Sequence, residues 1–288
     1  MSLFEETGSR AASGEAKAPH IVDVLIEERA KGLRSDPLLW PLIRRFLYPV
    51  LRYRTALRMA DEIGTMGGVE AMDHMSRLLR LNVDMIGAPD LPATGPLVVV
   101  CNHPTGIVDG IAVYDALKTA RPDLAFFANS DAIRVSPRFD EVLIPVEWAP
   151  DKRSRAKTRR TLKSTAEAFE AERAVIIFPS GRLAYMNRRG AITERPWLTS
   201  AVTLARRHKA PILPLHIYGR NSWLYYFFCF TSPELRDMTL FHEVLNKKGA
   251  RYRLRFGDLL DPADLPDDAE AATSELQALV EIDLGGRS

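Results

Sequence analysis

Leu97-Val-Val-Val-Cys-Asn-His-Pro-Thr-Gly-Ile-Val-Asp-Gly110 is the stretch that decides the fold. Its first five residues form an unbroken apolar run, with Gly95-Pro96 before it and Asn102-His103-Pro104 after it. A strand covered on both faces reads this way, because both sets of alternating side chains must be apolar. The run breaks at once into a loop carrying Pro104 and Gly106, and Asp109 stands just ahead of a helical stretch at 110–120. Strand, tight loop and helix in that order make the repeating unit of a parallel sheet.

Working outward, four more short apolar runs read as strands, at 124–128, 142–146, 174–178 and 211–216. Helical stretches at 154–173 and 197–209 lie between them. Arg251-Tyr-Arg-Leu-Arg-Phe256 alternates strictly and reads as a strand with one solvated face. The expected fold class is therefore α/β, with a mixed, largely parallel sheet flanked by helices. Upstream, 21–84 reads as an N-terminal helical segment, with Asp36-Pro37 as a helix start. Residues 1–20 read as a disordered leader of small and polar residues without the apolar stretch of a secretory signal. Residues 85–288 are expected to form one α/β domain. It ends in an acidic C-terminal helix, read as a solvated surface helix at about 267–283.

The chain has 288 residues with a formal net charge of +2, so overall charge does not point to nucleic acid. Two cysteines, Cys101 and Cys229, exclude a disulfide framework and fit a reducing compartment. The longest apolar run, at 223–230, has eight residues, far short of the ~20 that cross a bilayer. It reads as core, as a wall for an apolar chain or as a membrane-dipping surface. Between residues 29 and 58 there are eight Lys or Arg against one acid, interleaved with Leu38, Leu39, Trp40, Leu42, Ile43, Phe46, Leu47 and Tyr48. That pattern suits a helix lying on an anionic membrane surface, and equally a core-facing helix with a solvated basic face.

The chemistry-bearing residues cluster at strand ends. His103 follows a buried strand and Asp109 precedes the next helix, at the sheet edge where α/β proteins hold their ligands. A carboxylate on one imidazole nitrogen fixes the tautomer and supports the charge formed when the other nitrogen takes a proton. The alternative is a loop histidine beside a helix-capping aspartate. Phe178-Pro-Ser-Gly-Arg182 ends another strand in a glycine turn, where Gly181 allows close backbone approach and Arg182 offers a fork for phosphate or carboxylate. Lys152, Arg153 and Arg155, past the strand at 142–146, are further anion-site candidates, with the solvated face of the next helix as their alternative. Cys101 reads as a small residue completing a strand rather than a nucleophile. No Gly-x-Ser-x-Gly elbow occurs. His20, His74, His208 and His242 have no mutual metal-ligand spacing, and His216 reads as structural, so no metal is expected.

Four blocks in order resemble the glycerolipid acyltransferase family, whose members acylate glycerol 3-phosphate, lysophosphatidic acid and related lysolipids. Asn102-His103 with Asp109 resembles the family's His/Asp block. Residues 144–155 resemble its arginine block, Phe178-Pro-Ser-Gly-Arg182 its Phe-Pro-Glu-Gly block, and Ala210-Pro-Ile-Leu-Pro214 its closing proline block. Two departures stand out. Five residues separate His103 from Asp109 where four are common, a form similar to the Asn-His-Pro, hemolysin-like branch that includes enzymes of bacterial lipid synthesis. Ser180 stands where glutamate is usual. The resemblance implies an O-acyltransferase in which His103, oriented by Asp109, is the general base that activates an acceptor hydroxyl against an acyl thioester. Lys152, Arg153, Arg155, Ser180, Gly181 and Arg182 are the implied substrate-binding residues, and backbone N–H groups near Gly106 or Gly181 the implied oxyanion donors. The implied partners are an acyl-CoA or acyl carrier protein thioester, a lysolipid or glycerol phosphate acceptor, and an anionic membrane surface, with no cofactor, metal or nucleic acid. The implied location is cytoplasmic, on the inner face of the membrane. The alternative is an inactive relative that binds lipid or scaffolds a partner there.

Overall fold

The computed structural model describes residues 18–147 and 152–286. The expected leader lies outside the described residues as far as residue 17. His20 is already structured: its Nδ1 accepts the Val22 amide N–H at 3.1 Å and caps the first helix. Five helices fill the N-terminal segment: α1 (Ile21–Arg29), α2 (Lys31–Ser35), α3 (Leu39–Val50), α4 (Tyr53–Gly64) and α5 (Gly68–Leu79). Asp36 acts at the expected start of α3, where its Oδ1 accepts from the Leu38 and Leu39 amides, both at 2.9 Å.

The sheet follows. Its strands in chain order are β1 (Asn82–Ile86), β2 (Leu97–Cys101), β3 (Leu124–Asn129), β4 (Leu143–Val146) and β5 (Ala174–Ile177). A two-stranded hairpin, β6 (Tyr185–Met186) and β7 (Ile192–Thr193), stands apart, and β8 (Ile212–Tyr218) and β9 (Arg251–Phe256) complete the sheet. The helices between and after them are α6 (Ile107–Leu117), α7 (Asp131–Val135), α8 (Arg155–Glu170), α9 (Ser200–His208), α10 (Trp223–Thr231), α11 (Pro233–Met238), α12 (Leu240–Leu245) and α13 (Ala269–Ala278). The sheet order is β1-β9-β8-β2-β5-β3-β4, and only the β8–β9 pair is antiparallel. This is the expected mixed, largely parallel sheet. The unbroken apolar run of β2 has the expected cause. Leu97, Val99 and Cys101 join a core shared with α1 and α3–α6, while Val98 and Val100 join a second core with α8, α9 and α13.

Three elements differ from the sequence reading. β1 is an edge strand whose residues are half-buried or exposed, so it lacks the apolar run that betrayed the others. The run at 223–230 forms α10, capped by Ser222, whose Oγ accepts the Tyr225 N–H. It is core on one side, with Tyr225, Tyr226 and Phe228 buried, and bare on the other, with Trp223 75%, Phe227 43% and Phe230 55% exposed. The C-terminal helix is docked rather than solvated. Ala272, Leu276 and Val280 recur every fourth residue and close the second core, while Glu270, Glu275 and Asp283 face outward with Ser274 and Ile282.

Candidate active site

His103 comes directly after β2, at the centre of the sheet. Its Nδ1 lies 3.0 Å from Asp109 Oδ2. Asp109 is wholly buried in the first turn of α6. The same Oδ2 accepts the Thr105 and Gly106 amide N–H groups, both at 2.8 Å, and Oδ1 accepts the Thr105 hydroxyl. The Thr105 and Gly106 amides and the Thr105 hydroxyl all donate to the carboxylate, and the positive end of the α6 dipole lies beside it. Gly106 makes the loop possible with φ +93°, and a Cβ there would also meet the end of Leu183 at 3.0 Å. The Thr105 hydroxyl further meets the Tyr252 hydroxyl of β9 at 2.8 Å, which ties the loop to a strand two positions away.

The imidazole stacks on Phe178, with ring centroids 4.3 Å apart, and its side chain is 17% exposed. Nδ1 belongs to Asp109, while Nε2 has no hydrogen-bond partner among the described residues. A histidine held this way, with one nitrogen on a carboxylate and the other open at a sheet edge, is built to take and return a proton. Asn102 next door is buried and pairs with β8 on both sides of Ile217, through Oδ1 to the N–H at 2.7 Å and Nδ2 to the C=O at 3.1 Å. It fixes where the strand ends and His103 begins.

The loop after β5 closes over the same edge. The Ala184 N–H donates to the His103 carbonyl at 2.9 Å, so residues 178–184 lie against the histidine. Ser180 is buried and donates to the Arg182 carbonyl at 2.8 Å. Gly181 adopts φ +62° and Arg182 is exposed. The two expected oxyanion donors are already engaged, Gly106 N–H on Asp109 and Gly181 N–H on the Phe178 carbonyl at 3.0 Å. Lys152, Arg153 and Arg155 follow β4, an edge strand three positions from β2, or roughly 14 Å across the sheet. Lys152 pairs with Glu28 of α1 at 2.6 Å, and the Arg153 Nε–H donates to the Glu147 carbonyl at 3.1 Å. Arg155 is exposed at the start of α8. Among the described residues no hydrogen bond or ion pair joins these three to the His103 loop. A hollow of about 590 Å³ lies near them, lined by Glu28, Arg134, Lys152, Lys157 and Arg160 and not by His103.

Two groups at this edge carry no sequence signal. Glu194, just past the hairpin and 91 residues from His103, accepts the His103 backbone N–H on Oε1 and the Trp197 indole N–H on Oε2, the latter at 2.9 Å. Asn221, past the end of β8, is buried and donates to the Pro104 carbonyl at 3.3 Å. Neither belongs to a local motif. Sheet order alone brings them here. Three other histidines are occupied elsewhere: His74 on Glu62, His208 stacked on Phe169 and His216 on the Val280 carbonyl.

Residues 82–218, which contain His103, Asp109 and the loop after β5, match the acyltransferase family model. This stretch, just under half of the chain, is similar to the acyltransferase family. The chain's similarity extends to two proteins named lyso-glycine lipid O-acyltransferase. The one from Phocaeicola vulgatus is 27% identical over 160 residues, 55% of each chain. The one from Bacteroides thetaiotaomicron is 24% identical over 160 residues, 55% of this chain and 56% of its own. The chain thus spans about half the length of the curated relatives it matches. The crystal structure of the 1-acyl-sn-glycerophosphate (LPA) acyltransferase PlsC from Thermotoga maritima is also similar. It has 13% identity and a TM-score of 0.47, over 92% of this chain and 97% of that one.

Proposed function

We propose that this acyltransferase domain moves a fatty acyl group from a thioester, acyl-CoA or acyl carrier protein, to a hydroxyl of a lysolipid. The observation that carries the reading is the His103–Asp109 contact at 3.0 Å with Nε2 left open at the sheet edge. His103 Nε2 takes the acceptor O–H proton as the oxygen attacks the thioester carbonyl. The C–O bond forms, the C–S bond breaks, and the imidazolium returns its proton to the departing thiolate. Asp109 holds the tautomer and supports the transient positive charge. No acyl-enzyme is needed. Cys101 fits no nucleophilic role, since it is wholly buried in β2 and burial pushes its thiol well above the usual range. The direct test is thiol release from acyl-CoA and acyl carrier protein in the presence of lyso-amino-acid lipids, lysoglycerophospholipids or glycerol 3-phosphate. Release that depends on a lysolipid supports the reading, and release without any acceptor replaces it with thioester hydrolysis.

The curated relatives are named for a lyso-glycine lipid, and a lysolipid with an anionic head group is the acceptor class proposed for this chain. Arg182 is the cation of the proposed anion site, because it is exposed on the loop that lies against His103, next to Ser180 and Gly181. Lys152, Arg153 and Arg155 remain candidates only for more distant parts of a donor or acceptor. Arg182→Ala is expected to raise KM for anionic lysolipids about tenfold, the scale of one charge-assisted contact, with kcat little changed. Steady-state kinetics with anionic and neutral head groups checks this. An equal effect on both classes removes the anion site.

Attachment to a membrane surface is proposed through α3. No helix among the described residues is long and apolar enough to cross a membrane. Trp40 and Tyr48 anchor α3 in the core, while Leu39, Leu42, Phe46 and Val50 form an exposed apolar stripe, with Arg44 and Arg45 also exposed. This is how an interfacial helix is arranged. Arg52, a third candidate from the sequence, donates to the Leu245 carbonyl at 3.2 Å and holds α12 instead. Reversing both charges (Arg44→Glu, Arg45→Glu) is expected to weaken partitioning onto anionic vesicles by roughly 30-fold or more, at about 1 kcal/mol per basic residue. Flotation assays at low and high salt measure it, and unchanged partitioning returns α3 to a purely structural role.

A further inference from the structure

Glu194 is the ionisable group closest to the histidine that the mechanism above does not use. It arrives on the returning arm of the β6–β7 hairpin, and its carboxylate bridges two donors: the backbone N–H of His103 itself and the indole of Trp197. Trp197 is buried in the second core, and its own amide donates to Gln277 of α13 at 3.1 Å. The bridge therefore connects His103 to the docked C-terminal helix. The loop after β5 carries Ser180, whose hydroxyl is engaged within its own turn.

From this juxtaposition we propose that Glu194 is a second, positioning carboxylate of the acyltransferase site. It anchors the His103 backbone and adds negative potential where the imidazolium forms. The inference rests on the acyl-transfer reading for its kinetic arm only. Two titratable neighbours act on Glu194: His103 at the end of β2, which favours its charged form, and Glu281 in the helical extension of α13, which repels it; the buried Cys101 thiol lies nearby and is held neutral. Asp109 faces Nδ1 of the imidazole, whereas Glu194 meets the backbone N–H. Burial, against the help of the two hydrogen bonds and of His103, pushes the Glu194 carboxyl up to about 7, and burial also raises Glu281. Glu194 therefore changes charge near neutral pH.

Two variants separate an electrostatic role from a scaffolding one. Glu194→Gln keeps one of the two accepted hydrogen bonds, sets its NH₂ against the other N–H and removes the charge. It is expected to lower kcat about tenfold at pH 8 with KM little changed, and to move the acidic limb of the pH–rate profile to lower pH by about one unit. Trp197→Phe keeps the ring in the core and removes one donor to the carboxylate. The carboxyl then protonates more readily, and the acidic limb moves to higher pH. Limbs that stay in place while activity falls in both variants overturn the proposal and leave Glu194 as scaffold. A second readout needs no activity: the ¹³C carboxyl titration of Glu194 in the native protein and in His103→Gln. A higher midpoint in the variant supports the coupling, and identical midpoints overturn it. If the native protein transfers no acyl group to any acceptor, the functional reading fails and this titration alone decides the inference.

Discussion

Replacing His103 by alanine is expected to lower acyl transfer by at least about 100-fold and up to about 10⁴-fold, the range for losing a positioned general base. No other described residue takes over. The nearest carboxylates, Asp109 and Glu194, are engaged on Nδ1 and on the backbone N–H, and Cys101 is sealed in β2. The fold should survive, because the imidazole sits at the sheet edge against Phe178 and the main-chain contacts of residue 103, to Glu194 and Ala184, do not use the side chain. Circular dichroism and thermal unfolding, run beside the assay, should give near-native values. Near-native turnover in this variant would remove His103 from the mechanism.

Asp109→Asn is the second large effect, again at least about 100-fold, and the geometry says why. An amide oxygen placed where Oδ2 stands still accepts from His103, Thr105 and Gly106. The amide NH₂ then faces the Thr105 hydroxyl, which can rotate to accept it and donate to Tyr252. The hydrogen-bond count is nearly kept, so the stability loss should stay at about 1–2 kcal/mol. What disappears is the negative charge that supports the imidazolium. Asp109→Leu differs, since it leaves the amides of Thr105 and Gly106 unpaired in a sealed pocket and should cost about 3 kcal/mol or more. Comparing the two by urea unfolding and by kcat separates the charge from the fold. An Asn variant as active as the native protein would contradict the dyad.

The elements that were legible in the sequence share one property: their signal is local. β2, β3, β4, β5 and β8 are short apolar runs because two helical layers cover them, and β9 alternates because one of its faces carries Arg251, Arg253 and Arg255. His103 and Asp109 are six residues apart on one loop, so their contact needs no knowledge of the sheet. The place of Lys152, Arg153 and Arg155 past an edge strand was not legible, for the opposite reason. In chain order β4 precedes β5, but in the sheet β3 stands between them, and no local pattern encodes that order. Glu194 lay beyond reach because its partner is 91 residues away, across a hairpin of two-residue strands. The run at 223–230 is apolar on both helical faces, which erases the 3.6-residue period that would have announced α10.

The central claim is that His103 deprotonates a lysolipid hydroxyl that attacks a thioester directly. Its most direct test uses acyl-CoA with an isotope-labelled chain, one anionic lysolipid, and the native protein beside His103→Ala, with products resolved by mass. The account predicts a lysolipid heavier by one labelled acyl group and one free CoA thiol per product from the native protein, no labelled protein, and at most about one-hundredth of that product from the variant. Undiminished product from a folded His103→Ala protein, or label retained covalently on the native chain, would contradict it.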